Sequence, residues 1–337
     1  MLITGGAGFI GSNFVRYTLE NYPDTHAIVL DKLTYAGNLD NLSDIEARFQ
    51  DRYTFVTGDI CDPKIVDSLF QKHELDALVN FAAETHVDRS LLEAGNFVTT
   101  DVYGTFVLLE AAREHGIKHF LHVSTDEVYG DVPIGSSKET DHLCPRSPYS
   151  ASKAGGDLMA LAYHTSHNVP VTITRGSNNF GPYQYPEKFI PLFITNAIDD
   201  LPLPLYGDGR QVRDWIYVLD HCSGIDTAMR KGTPGEIYNV GGGNERENLD
   251  IAHTIVESLG KPLSLIQHVR DRAAHDRRYS LDCDKLAALG WKPDHEFDGA
   301  LRATVSWYNE HQDWWRRIKS GEYMEYYRAQ YGHRLST

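Results

Sequence analysis

The sequence predicts an α/β chain built on a doubly wound parallel sheet, followed by a smaller mixed α/β region. Three observations carry that prediction. An apolar run at Met1-Leu2-Ile3 leads straight into Gly6-x-Gly8-x-x-Gly11 and then into a helical pattern. Further short apolar runs recur through residues 1–175, each followed by a helical stretch, which is the rhythm of βα units with parallel strands. After Arg175 the rhythm stops, and Pro182, Pro186, Pro191, Pro202 and Pro204 break up the pattern.

Taken in order, the first element carries the clearest chemistry. Glycines let a backbone approach a pyrophosphate, and the helix that follows, through Asn13 to Leu19, offers amide donors and a partial positive charge at its start. The second strand, over 27–30, ends in Asp31, 20 residues after Gly11, where a carboxylate bonds the adenosine ribose hydroxyls. An acid there repels a 2′-phosphate, so NAD is expected rather than NADP. A strand over 53–56 ends near Asp59 and Ile60, placed to flank the adenine. Another, over 77–81, ends in Ala82 and Ala83, small enough for close approach of phosphates and ribose.

A helix is expected over 96–115, with an apolar stripe at Val98, Val102, Thr105, Phe106 and Leu109. A strand and turn over 119–130, a helix over 149–167 and a strand over 171–174 complete the first half, a Rossmann-type domain at 1–175 with ligands at its strand C-termini. The second half, 176–337, reads as mainly a substrate-binding region. It has strands over 212–218 and 236–240, a helix over 249–259, and some chain expected to cross back to the first domain. No Gly/Ser-rich linker separates the two, so one body is expected. The aromatic tail, from Trp307 to Tyr331, is expected to pack on it.

Composition narrows the partners. A net charge of −15 over 337 residues argues against a nucleic-acid surface, which needs clustered Lys and Arg. The four cysteines, Cys61, Cys144, Cys222 and Cys283, form no CxxC pair and suit a reducing cytoplasm. No apolar run approaches the roughly 20 residues of a membrane span. Met1 leads directly into a strand, leaving no room for a signal peptide. The location expected is therefore cytoplasmic. The 16 histidines contain no HExxH or HxH cluster, and His115 and His119 are separated by Gly116 at a helix end, so no metal is expected.

The reactive centre is read at Ser124-Thr125-Asp126-Glu127 and at Tyr149 with Lys153. Tyr149 and Lys153 are four residues apart and share a helix face. A free phenol has a pKa near ~10 and is a poor base. A nearby cation, Lys153 or an oxidised nicotinamide, is expected to lower it. Tyr149 then takes a proton from a sugar hydroxyl as hydride leaves the same carbon for NAD, with Thr125 bonding that hydroxyl.

With these residues in place, the sequence resembles the extended short-chain dehydrogenase/reductases, and within them the nucleotide-sugar 4,6-dehydratases. The resemblance runs from Gly5-Gly6-Ala7-Gly8-Phe9-Ile10-Gly11 to Trp307-Tyr308. Its specific stretches begin at Asp31, Ala82, Ser124, Ser177, Pro186, Arg213 and His275. It implies NAD at Gly5, Gly8, Phe9, Ile10, Gly11, Asp31, Lys32, Leu33, Thr34, Asp59, Ile60, Ala82, Ala83, Thr100, Tyr149, Lys153 and Asn179. It implies a nucleoside-diphosphate hexose, dTDP-glucose, at His86, Thr125, Asn178, Lys188, Phe189, Pro204, Leu205, Tyr206, Arg213, Asn248, Arg272 and His275. Arg213 and Arg272 suit the diphosphate because a guanidinium offers a fork of donors, and Tyr206 suits the base.

The acid pair is the discriminating feature, because relatives that only epimerise or decarboxylate generally lack it. Once carbon 4 is a ketone, the carbon 5 proton is acidic. Glu127 is expected to remove it, and Asp126, protonated, to hand a proton to the departing carbon 6 hydroxyl; two adjacent carboxyls split their pKa values into an acid and a base.

The alternatives are dehydration of another hexose nucleotide such as UDP-glucose, a UDP-sugar 4-epimerase or decarboxylase, and a catalytically silent NAD-binding sensor. The chain departs from the family at Ala273-Ala274, where Pro-Gly is usual, in a short loop between Tyr129 and Tyr149, and at Gly176, where Cys is frequent. The resemblance also implies a homodimer joined through the helices near 96–115 and 149–167.

Overall fold

The computed structural model describes residues 1–271, 276–320 and 322–335. Its centre is a seven-stranded sheet whose neighbouring strands all run parallel. The strands in chain order are β1 (Leu2–Thr4), β2 (Ala27–Asp31), β3 (Tyr53–Thr57), β4 (Ala77–Asn80), β5 (His119–Thr125) and β6 (Val171–Gly176). Further along come β7 (Asn178–Phe180), β8 (Leu203–Tyr206), β9 (Val212–Tyr217), β10 (Ile237–Val240), β11 (Glu245–Glu247) and β12 (Ile266–Val269). The main sheet runs β10-β6-β5-β4-β1-β2-β3. Strand order reverses between β1 and β4, so a crevice opens beyond their C-terminal ends.

β1, β2, β4 and β6 are buried at every position, as expected of parallel strands covered on both faces. Period-two alternation sends Ile3, Val29, Val79 and Leu121 to one core, with Phe14 and Val15. Leu2, Ile28, Leu78 and Phe120 go to the other, with Leu108 and Leu109. The first core also takes Ile216, Ile225, Met229 and Val240 from the second half, through β9, helix Val218–Lys231 and β10. A third core, built on Phe193, Leu205, Trp215, Ile255, Leu301 and Trp315, belongs to the second half. There β11-β9-β7 form a mixed sheet, and β8 and β12 a parallel pair. The tail packs on this body: Tyr308, Trp314, Trp315, Tyr323 and Tyr331 are all buried.

The helix expected over 96–115 is not uniform. It consists of Ala94–Phe97, a π-helical stretch Val98–Gly104 and an α-helix Thr105–His115. The wide π turn changes the angular step between residues, so the expected stripe does not stay on one face. Leu109 and Thr105 are buried, whereas Val98 is 58% exposed. Among the described residues, no helix is long and apolar enough to cross a membrane, and no three His, Cys, Asp or Glu cluster as metal ligands.

Candidate active site

The crevice beyond β1, β2, β3 and β4 gathers most of the expected cofactor positions into one cleft. Gly5, Gly8, Phe9, Ile10, Gly11, Asp31, Lys32, Thr34, Asp59, Ile60, Ala82, Ala83, Thr100, Tyr149 and Lys153 all line it, with Lys188 opposite from the second half. The glycines divide into two kinds. Gly5 has φ +68°, and a Cβ there would lie 2.6 Å from the Ala82 nitrogen; a Cβ at Gly11 would lie 2.3 Å from the Gly5 carbonyl. These two are demanded by the packing of strand, turn and helix. At Gly8 the nearest atom would be 3.3 Å away, and the residue faces the cleft, so its smallness leaves room for a ligand.

Helix Phe9–Asn21 starts at Gly8 with no side-chain cap, which leaves its first-turn amides to an incoming anion. Asp31 Oδ2 accepts from the Ala7 amide at 2.9 Å and Oδ1 from the Leu33 amide at 2.8 Å. Burial raises its pKa and those amides oppose the rise. A carboxylate so held keeps lone pairs for two ribose hydroxyls. Lys32 and Asp59 pair across the cleft at 2.6 Å.

Two expected cofactor residues lie off this lining. Leu33 packs towards the first core and serves the site through its amide to Asp31. Asn179 is turned to its own strand, with Nδ2 donating to the Ser177 carbonyl at 2.9 Å. Sequence reasoning also missed lining residues. Glu84 and Thr85 directly follow Ala83 and were within reach of the strand-end argument. Gln184 and Tyr185 come from a proline-broken loop that gave no such signal.

The end of β5 carries the reactive cluster. Thr125 closes the strand, and Asp126–Tyr129 form the 3-10 turn that follows it. Thr125 Oγ1 accepts from the Glu127 amide at 3.3 Å and donates to Asp126 Oδ1 at 3.2 Å. Asp126 is 3% exposed, and its Oδ2 has no hydrogen-bond partner among the described residues. Burial, then the charges of Glu127 and Asp214, push its pKa well up, with Arg213 and the Thr125 hydroxyl opposing. The surroundings of Asp126 thus favour its protonated form.

Tyr149 enters from helix Pro148–His167, which begins with Pro148 and a capping box between Ser147 and Ser150. Its phenol hydrogen-bonds the Thr125 side chain. The expected lowering by Lys153 is not found. Burial, then Glu127 and Asp101, hold the phenol well above its ordinary value. The physical reason is where the ammonium goes: Lys153 Nζ donates to the Val123 carbonyl at 2.7 Å, and its own pKa is lowered by burial against the pull of Asp101 and Asp157.

The second half brings a wall of side chains. Lys188 Nζ donates to Thr85 Oγ1 at 3.0 Å, with its pKa lowered by burial. Asn178 and Asn248 each hold a buried side-chain oxygen without a partner among the described residues. His86 has φ +87°, a strained conformation of the kind that persists at functional sites. Phe189 packs against Phe193 with ring centroids 4.4 Å apart and planes tilted by 51°, and Pro204 and Leu205 are buried in β8, so these three shape the wall through packing. Tyr206 closes β8. Arg213 is buried, donates to the Val212 carbonyl at 2.8 Å and the Asp276 carbonyl at 2.9 Å, and lies 4.3 Å over the Tyr279 ring. Arg272, His275 and the Ala273-Ala274 departure lie outside the described residues.

Comparison with known proteins places this geometry. The profile of the GDP-mannose 4,6 dehydratase family matches residues 2–304. A dTDP-glucose 4,6-dehydratase of Actinoplanes sp. is 51% identical over 94% of this chain and 99% of its own. One from Escherichia coli is 43% identical over 96% and 97%. The crystal structure of the dTDP-glucose 4,6-dehydratase of Streptomyces venezuelae, with NAD and dTDP bound, superposes with a TM-score of 0.91 at 50% identity, covering 94% of this chain and 99% of that one. A Thermus thermophilus UDP-glucose 4-epimerase in complex with NAD gives 0.85 at 30% identity, over 92% and 99%.

Proposed function

This chain belongs to the GDP-mannose 4,6-dehydratase family, and on that premise we propose that it is an NAD-dependent hydro-lyase that converts dTDP-glucose to dTDP-4-keto-6-deoxyglucose and water. Bound NAD would supply the hydride acceptor and donor for carbons 4 and 6, and a positive ring beside Tyr149 would favour the phenolate that burial opposes. The cleft fits it: uncapped helix amides for the pyrophosphate, Asp31 for the ribose, and small Ala82 and Ala83 beneath.

Tyr149 takes the proton of the carbon 4 hydroxyl while Thr125 orients that oxygen. Glu127 removes the carbon 5 proton. Asp126 gives its proton to the carbon 6 oxygen, which leaves as water; as hydride returns to carbon 6, Glu127 gives its proton back to carbon 5, and the proton Tyr149 took from the carbon 4 hydroxyl passes through solvent to restore Asp126. The observation that carries this reading is the buried Asp126 carboxyl at the strand end, its pKa pushed well up and one oxygen without a partner among the described residues. An epimerase needs no such acid, because its sugar keeps the carbon 6 hydroxyl.

Residues 1–175 supply the cofactor and the reacting groups, and residues 176–337 mainly the nucleotide sugar, held by His86 and Thr125 from the first part with Asn178, Lys188, Tyr206, Arg213 and Asn248. Two copies join through the π-interrupted helix and helix Pro148–His167, where Val98, Tyr103 and Leu158 are 58%, 45% and 59% exposed. A cytoplasmic location is supported by four free cysteines.

The test is direct. Incubation with dTDP-glucose should yield the alkali-induced ultraviolet absorbance of a 4-keto-6-deoxy sugar, with weaker turnover of UDP- and GDP-glucose. Epimerised sugar with no such absorbance overturns the reading.

A further inference from the structure

The last helix, Glu322–Leu335, lies beyond residue 304, where the match to the family profile ends. It still reaches the substrate wall. Gln330 Nε2 donates to Asp88 Oδ2 at 2.8 Å and to the Tyr206 hydroxyl at 2.8 Å. An amide nitrogen carries two hydrogens, and these two acceptors use both. A carboxylate accepts only, so Asp88 determines which end of the amide faces it. The Tyr206 oxygen, occupied by the incoming N–H, turns its own hydrogen towards Asp88 Oδ2 at 3.5 Å. The orientation of Tyr206 is thus set from the tail.

One helical turn earlier, the Tyr326 hydroxyl lies 3.4 Å from His86 Nδ1. Its ring meets the Arg89 guanidinium at 4.5 Å, and the same guanidinium lies 3.7 Å over Tyr35. The segment His86–Arg89, which starts at the strained His86 and includes the buried Asp88, is therefore held by two side chains of the final helix. A strained backbone persists only where its surroundings over-determine it.

We propose that Gln330 and Tyr326 are positioning residues for the nucleotide sugar. Gln330 fixes Tyr206 on the base side, and Tyr326 holds His86 on the facing wall. The inference rests on the reading above, in which His86 and Tyr206 meet a nucleoside-diphosphate hexose. The tail acts through those two and touches no reacting carbon.

Gln330→Met keeps the volume and removes both donated hydrogens. The result expected is a KM for dTDP-glucose raised about tenfold, from the loss of about one hydrogen bond to a charged partner, with kcat within about twofold. Bound NAD and Tm should match the parent. Tyr326→Phe should raise KM by about threefold through a weaker hold on His86. Calorimetry with dTDP alone separates this proposal from the function. If the parent binds dTDP but does not dehydrate dTDP-glucose, the function reading fails, and the loss of dTDP affinity in Gln330→Met still decides the positioning role. Unchanged KM and dTDP affinity in folded Gln330→Met, or a fall in kcat at constant KM, overturns the proposal. If Gln330→Met does not fold, the same readouts on Tyr326→Phe decide it.

Discussion

Two carboxylates flank the end of β5, and both are shut away from water: Asp157 is 0% exposed and Asp126 is 3% exposed. Burial pushes both pKa values upward. Their company differs. Asp157, on the helix of Tyr149, meets Arg175 Nε at 2.9 Å, and that guanidinium lies 4.8 Å over the Tyr129 ring. His122 stands nearby at 3.7 Å, kept neutral by burial and by the charges of Lys153 and Arg175. For Asp126 the larger neighbouring charges are instead Glu127 and Asp214, with Arg213 opposing them. An acid matched to a buried cation is a strut, costly to break and inert. An acid crowded by other acids is pushed towards its protonated form. Burial alone does not separate the two; the sign of the nearest charges does.

The largest effect expected is on chemistry. Glu127→Gln should slow elimination by on the order of 10²–10⁴, the usual range for a general base, while hydride transfer continues and NADH absorbance builds up. Water loss at the parent rate would break the contrast. Next comes the strut. Arg175→Met takes from Asp157 its hydrogen-bonded cation, leaving Lys153 as the remaining positive neighbour, and should cost about 3–5 kcal/mol in chemical denaturation, with turnover of the folded fraction little changed. A stability loss under about 1 kcal/mol would place Asp157 with Asp126 instead.

Asp126→Asn sharpens the comparison through pH. The folded pKa of Asp126 lies above its unfolded value, so its stabilising contribution is full below the ordinary carboxylate range and is lost as pH rises through the folded value. The variant should therefore gain stability over the parent at neutral and alkaline pH and none in acid, a difference denaturation curves across pH would read. The smallest effect near neutrality belongs to His221, a buried group with neither ring nitrogen partnered among the described residues. Its pKa is lowered to about 3 by burial. Its contribution is full above the unfolded value of about 6.5 and is lost as pH falls towards about 3. His221→Leu should flatten the acid limb of the stability profile across that window; an unchanged limb would show that His221 charges without cost.

His221 also accounts for a departure that had no reading in sequence. A Cβ at Gly176 would lie 2.5 Å from His221 Nε2, so the imidazole fills the space that a larger residue at 176 would take. Nothing local joins positions 176 and 221, and the pair is visible only in three dimensions. The glycine turn and Asp31 were legible because backbone geometry demands those residue types at that spacing. The acid pair was legible because its members are adjacent and only a dehydration needs both. Tyr149 and Lys153 were legible as a pair but not in their effect. Helical spacing put the ammonium one turn away, and the fold sent it to the Val123 carbonyl, while burial and the charges of Glu127 and Asp101 raise the phenol. The π turn at Val98–Gly104 carries no residue signature that periodicity detects. Gln184 and Tyr185 reach the cleft, and Tyr326 and Gln330 the substrate wall, from a loop and a tail whose placement depends on packing far from themselves.

The return of β10 to the main sheet sets an order of events during synthesis. β6 is complete at Gly176, but its outer edge pairs with residues 237–240 of the same chain. About 60 residues, with β7, β8, β9 and helix Val218–Lys231 among them, must leave the ribosome before that edge is covered, and a parallel sheet with so distant a closure folds slowly. Until then the nascent chain carries an open, apolar strand edge of the kind that recruits other chains. Expressing residues 1–175 alone would make that exposure permanent, so the cofactor half is expected to aggregate unless the later strand is supplied.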